Sequence, residues 1–460
     1  MSVVLIISIP LLAAFVSILN KKIAPYLLLV VSFGILVLLG FDLIELGTVT
    51  IGGFAAPYGI SLILDSYSFT GIYIVNILFF LVVAVTFRKY AKMASILLVA
   101  LAGLNGLLLT GDLFNLFVFI EVSGIAAYLI TTTNKKPVAT FNYLVLGTVG
   151  SSLYLLGLII LYAMFGTLNM ADLAVNITAS SATATQVALP FLLMFIGLGV
   201  EAKLLPFNSW VKGILGSSNK LSGPMIASVY ATTMALVFGR LLTNVFVISD
   251  QLMLIISVVL IFSILAGEAM AYASSKLREV LLFSSIAQAA IVIMLFVLGF
   301  TWFGLVLAIL NGFSKLVLFL IVNTVTDQTE TDEVNDLRGL FTENKLVGAA
   351  FSITVLSVLG LPLFIGFIVK MNILMTLVDN GNLLFVIAIL ASSVVEGVYF
   401  IKILIKLWFE KGEVKKVKFD NVTKYIVVVI ALAIVVFGIY FEPLREILNN
   451  YTNFMIGGIL

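Results

Sequence analysis

Runs of about 20 apolar residues follow one another along nearly the whole chain, and they constrain the fold more than any other feature. In hydrocarbon every backbone N–H and C=O needs an internal partner, so such runs cross as α-helices. Fourteen can be marked off between charges, glycines and prolines: approximately 2–19, 24–44, 66–87, 93–110, 112–132, 140–166, 187–211, 221–246, 252–273, 278–299, 301–323, 345–377, 383–407 and 423–441. The first reads as a span, because no small-residue cleavage pattern follows it. With 62% of residues hydrophobic and only 10% charged, the expected fold is an all-α polytopic membrane protein, one membrane domain over 1–460.

The loops carry an asymmetric charge. After odd-numbered runs come Lys21 and Lys22; Arg88, Lys89 and Lys92; Lys135 and Lys136; Lys212 and Lys220; Lys276; and Lys411, Lys415, Lys416 and Lys418. The long loops at 45–65 and 167–186 hold no Lys or Arg. The positive-inside bias therefore puts the odd loops in the cytoplasm and both termini outside, which requires an even number of spans.

Against this background a few charges fall inside apolar runs: Glu121, Glu201, Lys203 and Lys370. A charge near the bilayer midplane costs roughly 2.5–3.5 kcal/mol on insertion scales, so each needs a partner or water and marks an ion path by default. Two of the runs are also interrupted. Pro206 follows Glu201 and Lys203, while Gly360, Pro362 and Gly366 precede Lys370. Paired interruptions, one in each half of a long bundle, point to inverted repeats with ion sites at the breaks, expected here over 93–246 and 252–407. Glu396 shares a helix face with Tyr399 and either extends the polar row or meets a neighbouring subunit. Glu268, Arg240 and Lys402 read as solvated or snorkelling groups near helix ends. Asp112 reads as an N-cap.

Five motifs in order resemble the antiporter-like subunits shared by Mrp-type cation/proton antiporters, respiratory complex I and energy-converting membrane hydrogenases, over roughly residues 60–410. They are GDLFNLFVFIEVSGIAAYLI, with Glu121; PFNSW followed by GPMIASVY; SSKLREVLLFSSIAQ; NGFSKLVLFLIVN, with Lys315; and GLPLFIGFIVK, with Lys370. The resemblance implies a translocation path through Glu121, Glu201, Lys203, Lys315 and Lys370, with Tyr230, Asn311 and Glu396 as further members or interface residues.

This chain departs from the family's pattern in the first half. Glu201 holds the position of the usual seventh-helix lysine, and Lys203 stands two residues later, about 200° away on an ideal helix. Tyr230 and Ala235 match positions that commonly hold His and Lys, and Asn311 replaces a common His. Two readings stay open: a proton or sodium/proton translocating subunit, or a non-conducting scaffold of the same kind of complex.

The chain has no Cys and no His, so the usual ligands for zinc, haem or iron–sulfur clusters are missing and no cofactor is expected. No Walker or dinucleotide motif is present, and nothing suggests nucleic-acid binding. The resemblance implies partners: a second antiporter-like chain, small Mrp-type membrane subunits, and peripheral iron–sulfur or hydrogenase-like subunits, in a prokaryotic cell membrane. Ending soon after its last run, the chain looks like the compact Mrp D-type or hydrogenase-type form. The acidic stretch at 324–345 reads as a solvated linker or a docking segment, and 442–460 as an amphipathic tail.

Overall fold

A computed structural model describes residues 2–41, 43–54, 57–179, 184–246, 248–410, 412 and 417–442. Helices follow in the order α1 (Leu5–Leu19), α2 (Ala24–Gly40), α3 (Ser66–Thr86), α4 (Ala94–Leu109), α5 (Leu113–Thr131), α6 (Pro137–Phe165), α7 (Met170–Ala179), α8 (Ala184–Glu201) and α9 (Ser209–Leu215). Next come α10 (Ser222–Asn244), α11 (Asp250–Ala273), α12 (Leu277–Val297), α13 (Thr301–Thr329), α14 (Lys345–Leu359), α15 (Ile365–Asp379), α16 (Leu383–Trp408) and α17 (Asn421–Ile439).

Among the described residues, ten helices are long and apolar enough to cross a membrane on their own. The shorter α1 and α2 and two interrupted pairs, α8 with α9 and α14 with α15, match the other four runs. This is an all-α multi-pass membrane protein. Burial orders the helices: α10 and α12 are 94% and 89% buried over their apolar windows, whereas α17 is 28% buried and α6 39%. The centre of the bundle is therefore α10 and α12, and the outer helices turn apolar faces outward, as lipid-facing helices do.

The two interruptions follow one backbone design. At the first, Lys203 takes φ +66°, its N–H donates to Val200 O at 3.2 Å, and Leu204 N–H donates to Gly199 O at 2.9 Å. At the second, Gly360 takes φ +77°, its N–H donates to Ser357 O at 3.0 Å, and Leu361 N–H to Leu356 O at 3.0 Å. Both are Schellman endings, in which a left-handed residue turns the chain off the helix and satisfies its last carbonyls. Pro206 and Pro362 follow and prevent the helix from resuming at once.

The groups freed by the first break find new partners, as backbone at membrane depth requires. Leu205 N–H donates to Ser263 Oγ at 3.1 Å, and the Trp210 indole donates to Val200 O at 3.0 Å. At the second, Gly366 N–H donates to Ser357 Oγ at 3.2 Å. A methyl on Gly366 would lie 1.8 Å from Ser357 O, so only glycine permits this approach.

Several loop and helix-end expectations need correction. The 45–65 loop contains a hairpin of β1 (Gly47–Thr50) and β2 (Ser61–Leu64), and 167–186 contains α7. The acidic stretch is no free linker. α13 runs on to Thr329, and beyond it Leu277 N–H donates to Asp332 O at 2.8 Å, Arg278 pairs with Asp332 at 3.0 Å, and Val334 and Leu337 are buried. Arg240 does not snorkel. It is buried, pairs with Asp65, and donates to Ser68 Oγ at 3.0 Å. Its C-terminal position on α10 suggested a surface, but Asp65 and the start of α3 cover that end. Asp112 does cap α5, accepting from Asn115 N–H at 2.8 Å. The amphipathic tail expected at 442–460 lies almost wholly outside the described residues.

Candidate functional site

The second half holds a connected set of buried charges. Glu396 on α16 is 1% exposed and joins Lys370 Nζ on α15 at 3.3 Å and Gln288 Nε2 on α12 at 3.1 Å. Lys370 also donates to the terminal carbonyls of α14, Val358 at 3.2 Å and Leu359 at 3.4 Å, where the helix dipole favours a cation. The break thus supplies two of the lysine's three hydrogen-bond partners, and Glu396 supplies the counter-charge.

Lys315 on α13 is equally buried and donates to Ser284 Oγ on α12 at 3.0 Å. Glu268 and Glu396 are its attractive charge partners. Glu268 was expected near a helix end with a solvated role, and this is overturned. It is 1% exposed and accepts from the Tyr399 hydroxyl at 2.8 Å, because α11 turns this face toward α12 and α16. Lys402, by contrast, is exposed, its ammonium 5.3 Å from the centre of the Tyr272 ring.

Between the halves lies a cavity of about 30 Å³. Lys203 enters it from the first break and Lys315 from the second half, with Ser285, Gln288, Thr232 and Asn311 among its walls. The rest of the wall is mainly apolar, and the polar side chains within it leave room for a bridging water. Lys203 Nζ meets Ser285 Oγ at 3.3 Å, and Ser285 adjoins Ser284, the partner of Lys315. Helix α10 is wound as a π-helix over Met225–Tyr230 beside the cavity, a local widening that recurs at functional positions.

The first half is built differently. Glu201 closes α8, where the helix dipole disfavours a carboxylate, and two phenols compensate. Tyr128 donates to Oε1 at 3.3 Å and Tyr143 to Oε2 at 3.1 Å. Tyr143 is itself fixed by stacking on Trp210, with centroids 3.9 Å apart. A methyl on Gly147 would lie 1.8 Å from the Tyr128 hydroxyl and 2.9 Å from Glu201 Oε1, so this clamp needs glycine there. Glu121 is half-buried and repels Glu201 electrostatically.

The residues singled out in the sequence therefore divide into groups. Lys315, Lys370 and Glu396 belong to one set, in which Lys370 is half-buried and the other two are buried. Lys203 and Asn311 line the central cavity. Glu121 and Glu201 are neighbours, but Glu201 and Lys203 form no ion pair and point to different sites. Tyr230 donates to Ser123 O at 2.9 Å and is within electrostatic range of Glu201. Sequence reasoning missed Glu268, Gln288, Tyr128 and Tyr143 as site residues. For Glu268 a signal existed in the buried stripe Ile256, Leu260, Ser263, Gly267 and Ala271, whose helical period places 268 inside.

A multi-pass bundle with two broken helices and several charged side chains buried among its helices defines a class of membrane subunit. The family model for NADH:quinone oxidoreductase/Mrp antiporter transmembrane proteins matches residues 110–395, and the chain belongs to this family. It is 31% identical over 372 residues to NADH-quinone oxidoreductase subunit N of Desulforudis audaxviator (strain MP104C), covering 77% of this chain and 74% of that protein. It is 27% identical over 396 residues to the D-type subunit of the Na(+)/H(+) antiporter of Bacillus subtilis (strain 168), covering 80% and 78%. Among solved structures, a chain of an archaeal membrane-bound sulfane sulfur reductase superposes with TM-score 0.91 at 25% identity, covering 99% of this chain and 97% of that one. A chain of the Mrp complex from Dietzia sp. DQ12-45-1b superposes with TM-score 0.87 at 18% identity, covering 100% and 99%, which speaks to the fold alone.

Proposed function

We propose that this chain is an ion-translocating subunit of a multisubunit membrane complex and that protons, alone or in exchange for sodium, move along its buried row of Glu and Lys side chains. The observation that carries this reading is the set of buried Lys315, Glu268 and Glu396 with half-buried Lys370: Lys315, Ser284, Tyr399 and Glu268 are linked by hydrogen bonds, Gln288, Glu396 and Lys370 form a second linked group, and Lys315 lies within electrostatic range of both carboxylates. Buried charges of this kind cost free energy unless paired, and a purely structural helix gains nothing from them. A Lys amine in a dry site can release its proton when its carboxylate partner is neutralised or moves away, which arginine cannot do.

Two inverted repeats, 93–246 and 252–407, account for the matching Schellman breaks. The positive loops face the cytoplasm and both termini the outer side, in a prokaryotic cell membrane. Partners are other membrane subunits, including a second antiporter-like chain. The second reading, a coupling scaffold, is favoured by one observation: Glu201 is clamped by two tyrosines and has no lysine partner among the described residues.

The test is translocation by the assembled complex, purified through a tag on this chain and reconstituted in sealed vesicles. Lys370→Ala and Lys315→Ala should each abolish it. Unchanged translocation in both would leave the scaffold reading. Mass spectrometry of the co-purifying subunits separates a redox-driven assembly, with iron–sulfur or hydrogenase-like chains, from a gradient-driven one with small membrane subunits only. Recovery of this chain alone would contradict membership of a complex.

A further inference from the structure

The second break is closed on one side only. Helices α14 and α15 have 15 residues each, about 22 Å of helix. Neither crosses a hydrocarbon core of about 30 Å alone, so the turn that joins them lies inside that core. Helix α17 packs against the turn from one side, where a methyl on Gly438 would come within 2.4 Å of Leu363 O. The other side is open: Leu361 and Leu363 are 40% and 70% exposed, and Pro362 between them is exposed too. Lys370 takes the carbonyls of Val358 and Leu359, but among the described residues the Leu363 N–H and the Pro362 carbonyl have no hydrogen-bond partner. Backbone left in that state does not face lipid. Leu363 adds a second sign. It takes φ +81°, a conformation that strains any residue but glycine, and with so much of its side chain exposed it gains little packing within this chain in return. The first break has neither feature: Leu204 is buried and Leu205 N–H has Ser263.

We propose that the open side of the second break is the docking site for one transmembrane helix of a different membrane subunit, a helix that sets a small residue against Leu363 and brings a Ser, Thr or Asn side chain to the unpaired backbone groups. This rests on the reading of the chain as a subunit of a complex, and it names the surface and the partner's chemistry. The backbone groups of a partner helix are taken up by its own hydrogen bonds, so a side chain has to serve, and a hydroxyl or amide both donates and accepts. Small residues let two helices come close enough for that contact. Along α15 the same contact continues past Met371, Asn372 and Met375, all exposed. The thioethers adapt to a facing surface. Asn372 Nδ2 is held by Ile368 O at 2.7 Å, while its Oδ1 accepts no hydrogen bond among the described residues and suits a donor on the partner. A second copy meeting this surface two-fold would set break against break, and residues 360–364 carry no side-chain donor or acceptor.

The experiment places the photocrosslinker p-benzoylphenylalanine at position 363 or 361, irradiates native membranes, and purifies the complex through a tag on this chain. Both positions should join the same membrane-spanning segment of one co-purifying subunit, with Ser, Thr or Asn within a turn of the attachment point. Leu363→Gly relieves the backbone and removes only the exposed side chain. It should reach the membrane at wild-type levels and lower retention of that subunit in detergent by about tenfold, the scale of one buried leucine. If the bulky group at 363 blocks assembly, position 361 and Leu363→Gly provide the same test. Adducts with lipid alone, with a second copy, with residues 443–460 of this chain, or with a segment lacking such a side chain overturn the proposal. Undiminished retention in Leu363→Gly overturns it as well. In each case the complex reading stands as long as other subunits co-purify, whereas recovery of this chain alone overturns that reading instead.

Discussion

The two breaks share a hydrogen-bond pattern but differ in the residue placed at the left-handed turn and in how the nearby lysine is paired. At the second break glycine takes the turn, and Lys370, ten residues further on, reaches back to the end of α14 and to Glu396. At the first break the lysine itself takes the turn, and the carboxylate two residues before it is held by phenols. The second half thus keeps a compact ion pair, while the first separates its acid and its base into two sites. Similar backbones can therefore carry different charge logic, and the sign of φ at one residue decides where a lysine goes.

The largest expected effect comes from breaking the compact pair. Lys370→Ala would leave Glu396 buried with only Gln288 as donor and would uncap two carbonyls of α14. Removing one partner of a buried pair typically costs about 3–5 kcal/mol, so a marked drop in thermal stability should accompany the loss of translocation, and Glu396→Gln should recover part of that stability in the double variant. If Lys370→Ala melts like the wild type, the pair is not holding the second break.

Next, the left-handed residues should respond in opposite directions. Gly360→Ala forces a side chain into the positive-φ region and sets a methyl 3.0 Å from Lys370 Cδ, for a cost of about 1–2 kcal/mol. Lys203→Gly relieves the same conformation and should be close to neutral in melting temperature. Equal destabilisation by both would mean that Lys203 is held by packing. Gly147→Ala, which pushes Tyr128 off Glu201, should cost about 1–3 kcal/mol through overpacking without altering the Lys370–Glu396 pair, so its melting loss should add to that of Lys370→Ala.

The smallest effect lies outside the membrane. Asp420 caps α17, accepting from Thr423 N–H at 2.9 Å, and pairs with Lys220 at 3.3 Å. Partial burial pushes its pKa up, but the Thr423 hydrogen bonds and Lys220 outweigh that and hold it below its ordinary 3.8. A depressed carboxyl pKa contributes stability that is present above the unfolded value and is lost as pH falls through the folded value. Asp420→Ala should therefore cost about 1 kcal/mol at neutral pH, as cap removal does, and the difference from wild type should shrink below pH of about 4.

Much of this was legible in the sequence because it rests on period and punctuation. Apolar run lengths marked the helices, Pro206 and Pro362 marked the breaks, and the spacing of Glu396 and Tyr399 put them on one face. What was not legible depends on direction. Nothing in the composition around Lys203 signals that a lysine will take the left-handed seat, since Schellman endings usually declare themselves by glycine. Glu268 and Arg240 stand a few residues from the ends of α11 and α10, and distance along a chain does not report what covers that end. The hairpin strands of four residues each are too short to show alternation.

The proposed translocation requires water in the central cavity that Lys203 and Lys315 both line. A cryo-electron-microscopy map of the assembled complex, sharp enough to place ordered water, addresses this directly. Density for water between the two lysine Nζ atoms, beside Ser285, Thr232 and Asn311, is the expected result. A cavity that is dry or filled by a side chain or lipid tail, with Lys203 turned elsewhere, would contradict it.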